Sequence, residues 1–386
     1  MVRVLLLGQG YVATVFAWGL ARLKKGLLEP GGAPLASVDF GVPVEELQVV
    51  GSVDVDEGKI GRSLYEVAQR YGLEPEPELK EVAVAPGLRL GSTPGFLRTR
   101  ALDDGHSVGD ALARFREYLD DVRADVAVDV TSTVRTAPLN SWEEAGVRAS
   151  RGELPHSQVY AYLVLERGGV AHVNLQPAHV ACSPGLVEGA VKRRSVVLGD
   201  DGATGATPLT VDLAEHLAER NRRVLSVAQF NIGGNTDFLS LVEPERNRAK
   251  EDTKSGFLGD VLGYEPPHFI KPTGYLEPLG DKKFVAMHVQ WVSFGGFTDE
   301  LTVNMRINDS PALAGYIVDL ARLGYASLKA GLYGTLPQVN MFYMKRPGPL
   351  GLRQKSKILA YQDLLAFLDV LKRGAPVAPS YTGGKA

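Results

Sequence analysis

The chain opens on an almost unbroken apolar run, VRVLLL, followed by a glycine turn and a stretch, YVATVFAWGLARLKKG, whose apolar positions recur with helical period. The run is the pattern of a strand buried on both faces, and the stretch that of a helix packed on it. LQVVGSVDVD, VAVDVTST, GVAHVNLQPAHVACSP and SVVL repeat the strand pattern. Helical stretches such as VGDALARFREYLDDVRAD, SWEEAGVRASRG and HSQVYAYLVLERG separate them. This alternation predicts an α/β doubly wound fold on a parallel sheet. Two segments break it. KKGLLEPGGAPLASVDFGVPVEE is a Pro/Gly-rich insertion after the first helix, and ELKEVAVAPGLRLGSTPGFLRTRALDDG reads as irregular.

Further on the pattern changes. VLSVAQF starts as a strand and breaks into amides, glycines and an acid at FNIGGNTD. FVAMHVQWVSFGGF and DELTVNMRIND alternate with no long helix between them, which predicts a separate, more antiparallel sheet. A long apolar helix, SPALAGYIVDLARLGYASLKAGL, follows Asp309. VNMFYMKRPGP is then a short apolar segment with Lys345 at its edge, YQDLLAFLDVLKRG a last helix, and APVAPSYTGGKA a loose tail.

The first turn carries candidate chemistry. Gly8, Gly10 and Ala13 give G-x-G-x-x-A between a strand and a helix, with Tyr11 and Val12 at the helix start. The first glycine permits the turn, the second lets backbone approach a pyrophosphate, and the small third residue lets helix and strand pack closely. Free N–H groups at the helix start would face the phosphate. A purely structural glycine turn is the other reading. The second strand ends at Asp54 and Asp56, and an acid there commonly binds the adenosine ribose and favours NAD. Asp54 comes first as the strand ends; either acid could instead cap a turn. Thr131, Ser132 and Thr133 end a later strand, where doubly wound sheets bind ligands or where a turn is simply capped. GDDGATGAT is a glycine-rich turn with two acids, and Thr207-Pro208 reads as an N-cap followed by proline at the first helical position.

Composition narrows the class. The 386 residues are 45% hydrophobic and 23% charged with net charge −3, an ordinary soluble globular balance with room for two domains. There is no basic excess for nucleic acid, and no apolar run approaches the roughly 20 residues that span a bilayer. Cys182 is the only cysteine, so no intrachain disulfide forms and a reducing cytoplasm fits. Lys250 and Lys254, at the end of AQFNIGGNTDFLSLVEPERNRAKEDTKSG, fall one turn apart if helical. They are either a solvated face or a pair with an anion between them.

GQGYVAT, VDVD, GDDGATGAT, FNIGGNTD, ERNRAKEDTKS, LGDKKFVA, FGG, NDSPALAG and MKRPGP then stop looking independent. Together they resemble the myo-inositol-1-phosphate synthase family in its shorter archaeal form, over nearly the whole chain. GDD, N-x-x-G-N-x-D, K-x-x-x-K, GD-x-K, DSP and M-K-x-P occur in family order. The early insertion is unusual. GATGAT replaces the more typical K-S-G after GDD, a departure that concerns the cofactor loop more than the lysines.

The resemblance implies a Rossmann domain interrupted by an α+β catalytic and tetramerisation domain on its own sheet. Residues 1–207 would form the first part, 208–308 the inserted domain, and 309–386 the return. It implies conversion of glucose 6-phosphate to inositol 1-phosphate with NAD recycled, in a cytoplasmic homotetramer, the product serving phospholipids or a compatible solute. Lys250, Lys254, Lys283 and Lys345 would face the sugar phosphate; Asn231, Asp237 and Asp281 would orient hydroxyls or lysines; Asp201 and Asp309 would sit near the nicotinamide ribose and the reacting carbon. Each acid could alternatively be a turn residue, and D-S-P before a helix is an N-cap signature. Lys282 falls outside the motif and reads as solvated. A divalent cation (magnesium, manganese or zinc) could polarise a substrate oxygen, held by the acids of GDD and NTD. The seven histidines are scattered and read as structural. The competing readings are another two-domain NAD-dependent oxidoreductase acting on a small phosphorylated or semialdehyde substrate, and a non-catalytic NAD-binding scaffold.

Overall fold

The computed structural model describes residues 1–90, 93–247 and 256–373. Six parallel strands, β1 (Val2–Leu7), β2 (Leu47–Asp54), β3 (Val84–Pro86), β4 (Val126–Asp129), β5 (Ala171–Asn174) and β6 (Val196–Leu198), build most of one sheet. A second sheet holds β7 (Arg223–Gly233), β8 (His268–Tyr275), β9 (Lys282–Val292) and β10 (Thr298–Asn308). The chain then returns, and β11 (Gly334–Thr335) joins the first sheet beside β6. The first sheet runs β11-β6-β5-β4-β1-β2-β3, so strand order reverses between β1 and β4. A crevice opens at such a reversal, beyond the carboxyl ends of the strands.

The helices between these strands are α1 (Tyr11–Lys24), α2 (Leu64–Arg70), α3 (Val108–Val122), α4 (Trp142–Ser150), α5 (His156–Arg167) and α6 (Pro184–Lys192). Later come α7 (Thr207–Ala218), α8 (Thr236–Ser240), α9 (Phe257–Leu262), α10 (Asp309–Lys329), α11 (Pro337–Tyr343) and α12 (Lys357–Arg373). The unbroken VRVLLL run has a simple cause. Val2, Val4 and Leu6 pack into a core with α1, α10 and α12, while Leu5 and Leu7 pack into another with α3, α5 and α6. A strand covered on both faces has no polar side to show.

The second sheet is mixed: β8 runs parallel to β7, whereas β9 pairs antiparallel with both β7 and β10. Its inner face forms a separate core with α7 and α9, through Val211, Leu217, Val227, Phe257, Ile270, Met287 and Val289. The strand beginning at VLSVAQF does not stop at the amides. It continues through Asn231 to Gly233, because β8 and β9 supply backbone partners on both sides. The segment expected to be irregular contains β3, whose three residues are too few to show a period. Two helix starts also differ from expectation. Thr207 is the first residue of α7 rather than its cap, and Asn308, not Asp309, occupies the cap position of α10.

Candidate active site

A cleft of about 260 Å³ lies at the carboxyl edge of the parallel sheet, bounded on its other side by the turn and helix of residues 235–240 and by the start of α10. Gly8, Gly10, Tyr11 and Val12 form its floor at β1, Asp54 and Asp56 its β2 end, and Thr131, Ser132 and Thr133 its β4 end. Asp201, Asp237, Asp309 and Lys345 line the far side.

The glycine turn has the properties a dinucleotide requires. Gly8 has φ +91, and a Cβ there would stand 2.9 Å from Thr131 backbone atoms. Around Gly10 a Cβ would meet nothing within 4 Å, so backbone is open to an approaching group. No side chain caps α1 and its first turn has no acid, which leaves its N-terminus suited to a phosphate. Ala13 is buried against the sheet. Asp54 accepts from the Gln9 amide at 2.8 Å and from the Val55 and Asp56 amides at 2.7 and 2.8 Å. Lys59 pairs with Asp54 at 3.3 Å and Asp56 at 3.4 Å. Burial works against the Lys59 charge, but Asp54, Tyr71 and Asp56 together outweigh it and raise its pKa. Tyr11 and Tyr71 add an aromatic wall, with ring centroids 5.0 Å apart.

Thr131 lines the cleft and is also part of a capped turn: its N–H and hydroxyl donate to Asp129. Its oxygen accepts from Gln176 Nε2 at 2.6 Å. His156, at the start of α5, also reaches the cleft, with Nε2 3.3 Å from the Ser132 carbonyl. Burial lowers its pKa, against the pull of Asp129. Arg246 is buried and hydrogen-bonds the Thr133 carbonyl while pairing with Glu243. Lys59, His156 and Gln176 were not legible as site residues: Lys59 lies in an ordinary turn, and the others show their purpose only through neighbours distant in sequence.

Two lysine–aspartate pairs stand at the cleft's far side: Lys345, Asp201 and Asp309 line it, while Lys283 does not and reaches it only through Asp309. Lys345 Nζ is 2.9 Å from Asp201 Oδ1, with both side chains nearly inaccessible. Lys283 Nζ is 3.5 Å from Asp309 Oδ2 and lies over the Phe238 ring at 5.3 Å. Asp309 also accepts from Thr204. Gly205, in the GATGAT loop, has φ +72, and a Cβ there would stand 3.0 Å from Lys283 Nζ. That loop therefore bears directly on a lysine as well as on the cofactor side. Asp281 accepts from Asn235 Nδ2 at 2.9 Å and from the Ser310 hydroxyl at 2.6 Å, tying β9 to α8 and α10. Burial raises the Asp281 pKa, with Asp309 adding to it.

Asn231 stands apart from this group. It is buried within β7, with Nδ2 donating to the Lys271 carbonyl and Oδ1 accepting from Gln229. Like Asp281 and Lys283, it is not a cleft-lining residue, but unlike them it bonds to no lining residue among the described residues. Lys282 is exposed, as expected. Lys250 and Lys254 lie outside the described residues. Among the described residues no group of three or more His, Cys, Asp or Glu is arranged to hold a metal.

The profile of the myo-inositol-1-phosphate synthase family matches residues 205–310, which carry α7, the second sheet and the Lys283 pair. A solved structure described as a myo-inositol-1-phosphate synthase-related protein from Thermotoga maritima is 45% identical, with TM-score 0.89. The match covers 96% of this chain and 98% of that one. The chain belongs to the myo-inositol-1-phosphate synthase family. Among relatives in the family, the inositol-3-phosphate synthase of Corynebacterium glutamicum is 26% identical over 361 residues, covering 90% of this chain and 93% of that protein. The Caenorhabditis elegans inositol-3-phosphate synthase shares the fold, at 19% identity and TM-score 0.79, over 100% of this chain and 87% of that one. Among the described residues, no helix is long and apolar enough to cross a membrane.

Proposed function

We propose that this protein is an inositol-3-phosphate synthase that cyclises glucose 6-phosphate to inositol 1-phosphate, with NAD recycled. The observation that carries this reading is that one cleft holds both a dinucleotide turn, at Gly8 and Gly10, and a buried cation, Lys345 against Asp201. A dehydrogenase needs the first; a reaction that builds negative charge on several sugar oxygens also needs fixed cations. Gly8, Gly10, Tyr11, Val12 and Ala13 would hold NAD at the turn, Asp54 its adenosine ribose, and Thr131, Ser132, Asp201 and Asp309 its nicotinamide half. Bound NAD supplies a reversible hydride acceptor for C5 of the sugar.

The chain's own groups would do the rest. Lys250 would act on the C5 oxygen, Lys345 on the alkoxide that develops at ring closure, and Lys254 and Lys283 on the phosphate or the enolate. Asp201 and Asp309 would fix the ammonium groups of Lys345 and Lys283, so that little reorganisation is needed as charge appears. Asp237 and Asp281 would orient hydroxyls or lysines. Asn231 would act one step removed, by fixing β7 where it leads into the Asn235 turn. Residues 208–308 would be the inserted catalytic unit. We place the enzyme in the cytoplasm as a homotetramer, assembled through the outer face of the second sheet. There Phe230 and Phe269 stand 44% and 40% exposed with rings 5.4 Å apart.

The test is to incubate the protein with glucose 6-phosphate and substoichiometric NAD, with and without EDTA, and read products by phosphorus NMR. Many turnovers to inositol 1-phosphate without accumulating NADH support the synthase. NADH rising one-for-one with substrate loss supports a dehydrogenase instead. Loss of turnover with EDTA, restored by magnesium, manganese or zinc, would establish a divalent cation.

A further inference from the structure

Behind the cleft, α12 begins with a lysine that the proposed reaction does not use. Lys357 is 4% exposed, and its Nζ donates to the carbonyls of Met341 at 2.6 Å and Met344 at 2.8 Å, and to Gln354 Oε1 at 3.1 Å. Gln354, itself buried, turns its amide nitrogen to the carbonyls of Met344 at 3.0 Å and Lys345 at 2.8 Å. These acceptors belong to the end of α11 and the residues just after it, the part of a helix that leaves carbonyls without internal partners. An amine and an amide thus grip the backbone that presents Lys345. The grip is itself anchored. Asp212 of α7 accepts from the Lys357 backbone N–H at 2.6 Å, and Asp260 of α9 from the Gln354 N–H at 2.9 Å. Burial pushes the Lys357 amine down to about 7, opposed by Asp212 and assisted by Lys345. An apolar side chain would fill this space without that penalty but would leave the carbonyls unpaired.

We infer that Lys357, with Gln354, is a positioning residue for Lys345: it clamps the Met344–Lys345 backbone so that the Lys345 ammonium stays against Asp201 in the cleft. This rests on the synthase reading for its catalytic consequence, but not for its geometry. Lys357 does not touch the cleft and acts only through Lys345.

The test compares Lys357→Met, which keeps the stem and removes the amine, with the unaltered protein. Trace acetylation of each folded protein, read by mass spectrometry, reports the accessibility of individual lysines. The expected result is acetylation of Lys345 about 10-fold faster in the variant, while Lys283, equally buried and paired elsewhere, and exposed Lys282 keep their rates. Turnover should fall by about 10²-fold with KM within about threefold, the cost of displacing a group that acts on developing charge. Unchanged Lys345 labelling in folded Lys357→Met overturns the proposal. So does an equal rise at Lys283, which would mean general loosening. If Lys357→Met does not fold, Gln354→Met decides: it should expose Lys345 in the same direction, and unchanged labelling there overturns the clamp. If the unaltered protein makes no inositol phosphate, the functional reading fails while the labelling still decides this one.

Discussion

Lys345 Nζ lies 2.9 Å from Asp201 Oδ1, and the same two residues are joined through the backbone, where the Lys345 N–H donates to the Asp201 carbonyl at 2.6 Å. The adjacent pair repeats the link: Asp200 N–H donates to the Arg346 carbonyl and Arg346 N–H to the Asp200 carbonyl. Two motifs about 140 residues apart in sequence are thus one structural unit, separated by the whole second sheet. Asp201→Asn preserves shape and the backbone zipper but removes the Asp201 negative charge beside Lys345. Turnover should drop by about 10²–10³-fold, the usual cost of losing one preorganised electrostatic element. Phosphorus NMR progress curves would show it; near-normal turnover would remove this pair from the mechanism.

The two turn glycines should fail in different ways. Gly8 combines φ +91 with a backbone 2.9 Å from any Cβ, so Gly8→Ala strains the native chain and should cost on the order of 1–3 kcal/mol of stability. Gly10 has open space around it, so Gly10→Ala should melt near the unaltered protein yet bind NAD at least about 10-fold more weakly, because the methyl occupies the approach to the backbone. Paired melting curves and calorimetric NAD titrations separate the cases. Equal melting temperatures for the two variants would contradict the strain argument, and unimpaired NAD binding by Gly10→Ala would contradict the approach.

The contrast also shows what the sequence disclosed. β1, the glycine turn and Asp54 were readable because their signals are local: a period, a turn chemistry, a strand end. So was the change of sheet after α7. The surroundings of Asn231 were not readable because they are set by β8 and β9, and an amide inside a strand looks like an amide at its end. For Asp309 the cap alternative falls away, because Asn308 occupies the cap position, one residue earlier than the D-S-P pattern suggests. His156 and Gln176 carry no local signal, since each faces the cleft through partners on other strands or helices.

The Pro/Gly-rich insertion, unusual in sequence, is pinned by one buried cation on α10. Arg322 donates to the carbonyls of Val42 at 2.7 Å, Leu35 at 2.9 Å and Val38 at 2.9 Å, and its guanidinium lies 4.3 Å from the Phe40 ring centroid. Asp319 pairs with it at 3.5 Å and also accepts from the Leu35 amide and the Tyr343 hydroxyl. Gly315 leaves room for the strap, since a Cβ there would stand 2.2 Å from the Gly32 carbonyl oxygen. Arg322→Ala should destabilise the protein by about 3–5 kcal/mol, because it strands a buried carboxylate and three carbonyls at once. Urea unfolding would measure this. Limited proteolysis should then cut first within residues 27–43; a first cut elsewhere would show that the strap is held by other contacts.

Part of the loss of stability toward acid should come from one histidine within the parallel sheet. His172 on β5 is fully buried, and neither ring nitrogen has a hydrogen-bond partner among the described residues. Burial pushes its pKa down to about 4, with Asp129 opposing. In the unfolded chain the imidazole takes up its proton near 6.5. Between those values the unfolded state binds more protons than the folded one, so stability falls as pH is lowered. The contribution is complete above about 6.5 and gone below about 4, and the shift corresponds to about 3 kcal/mol. His172→Leu fills a similar volume with nothing to protonate. Urea unfolding at pH 7 and pH 4.5 should therefore show a smaller loss in the variant than in the unaltered protein. Parallel losses would mean that His172 keeps the same protonation in both states, and that the acid sensitivity arises elsewhere.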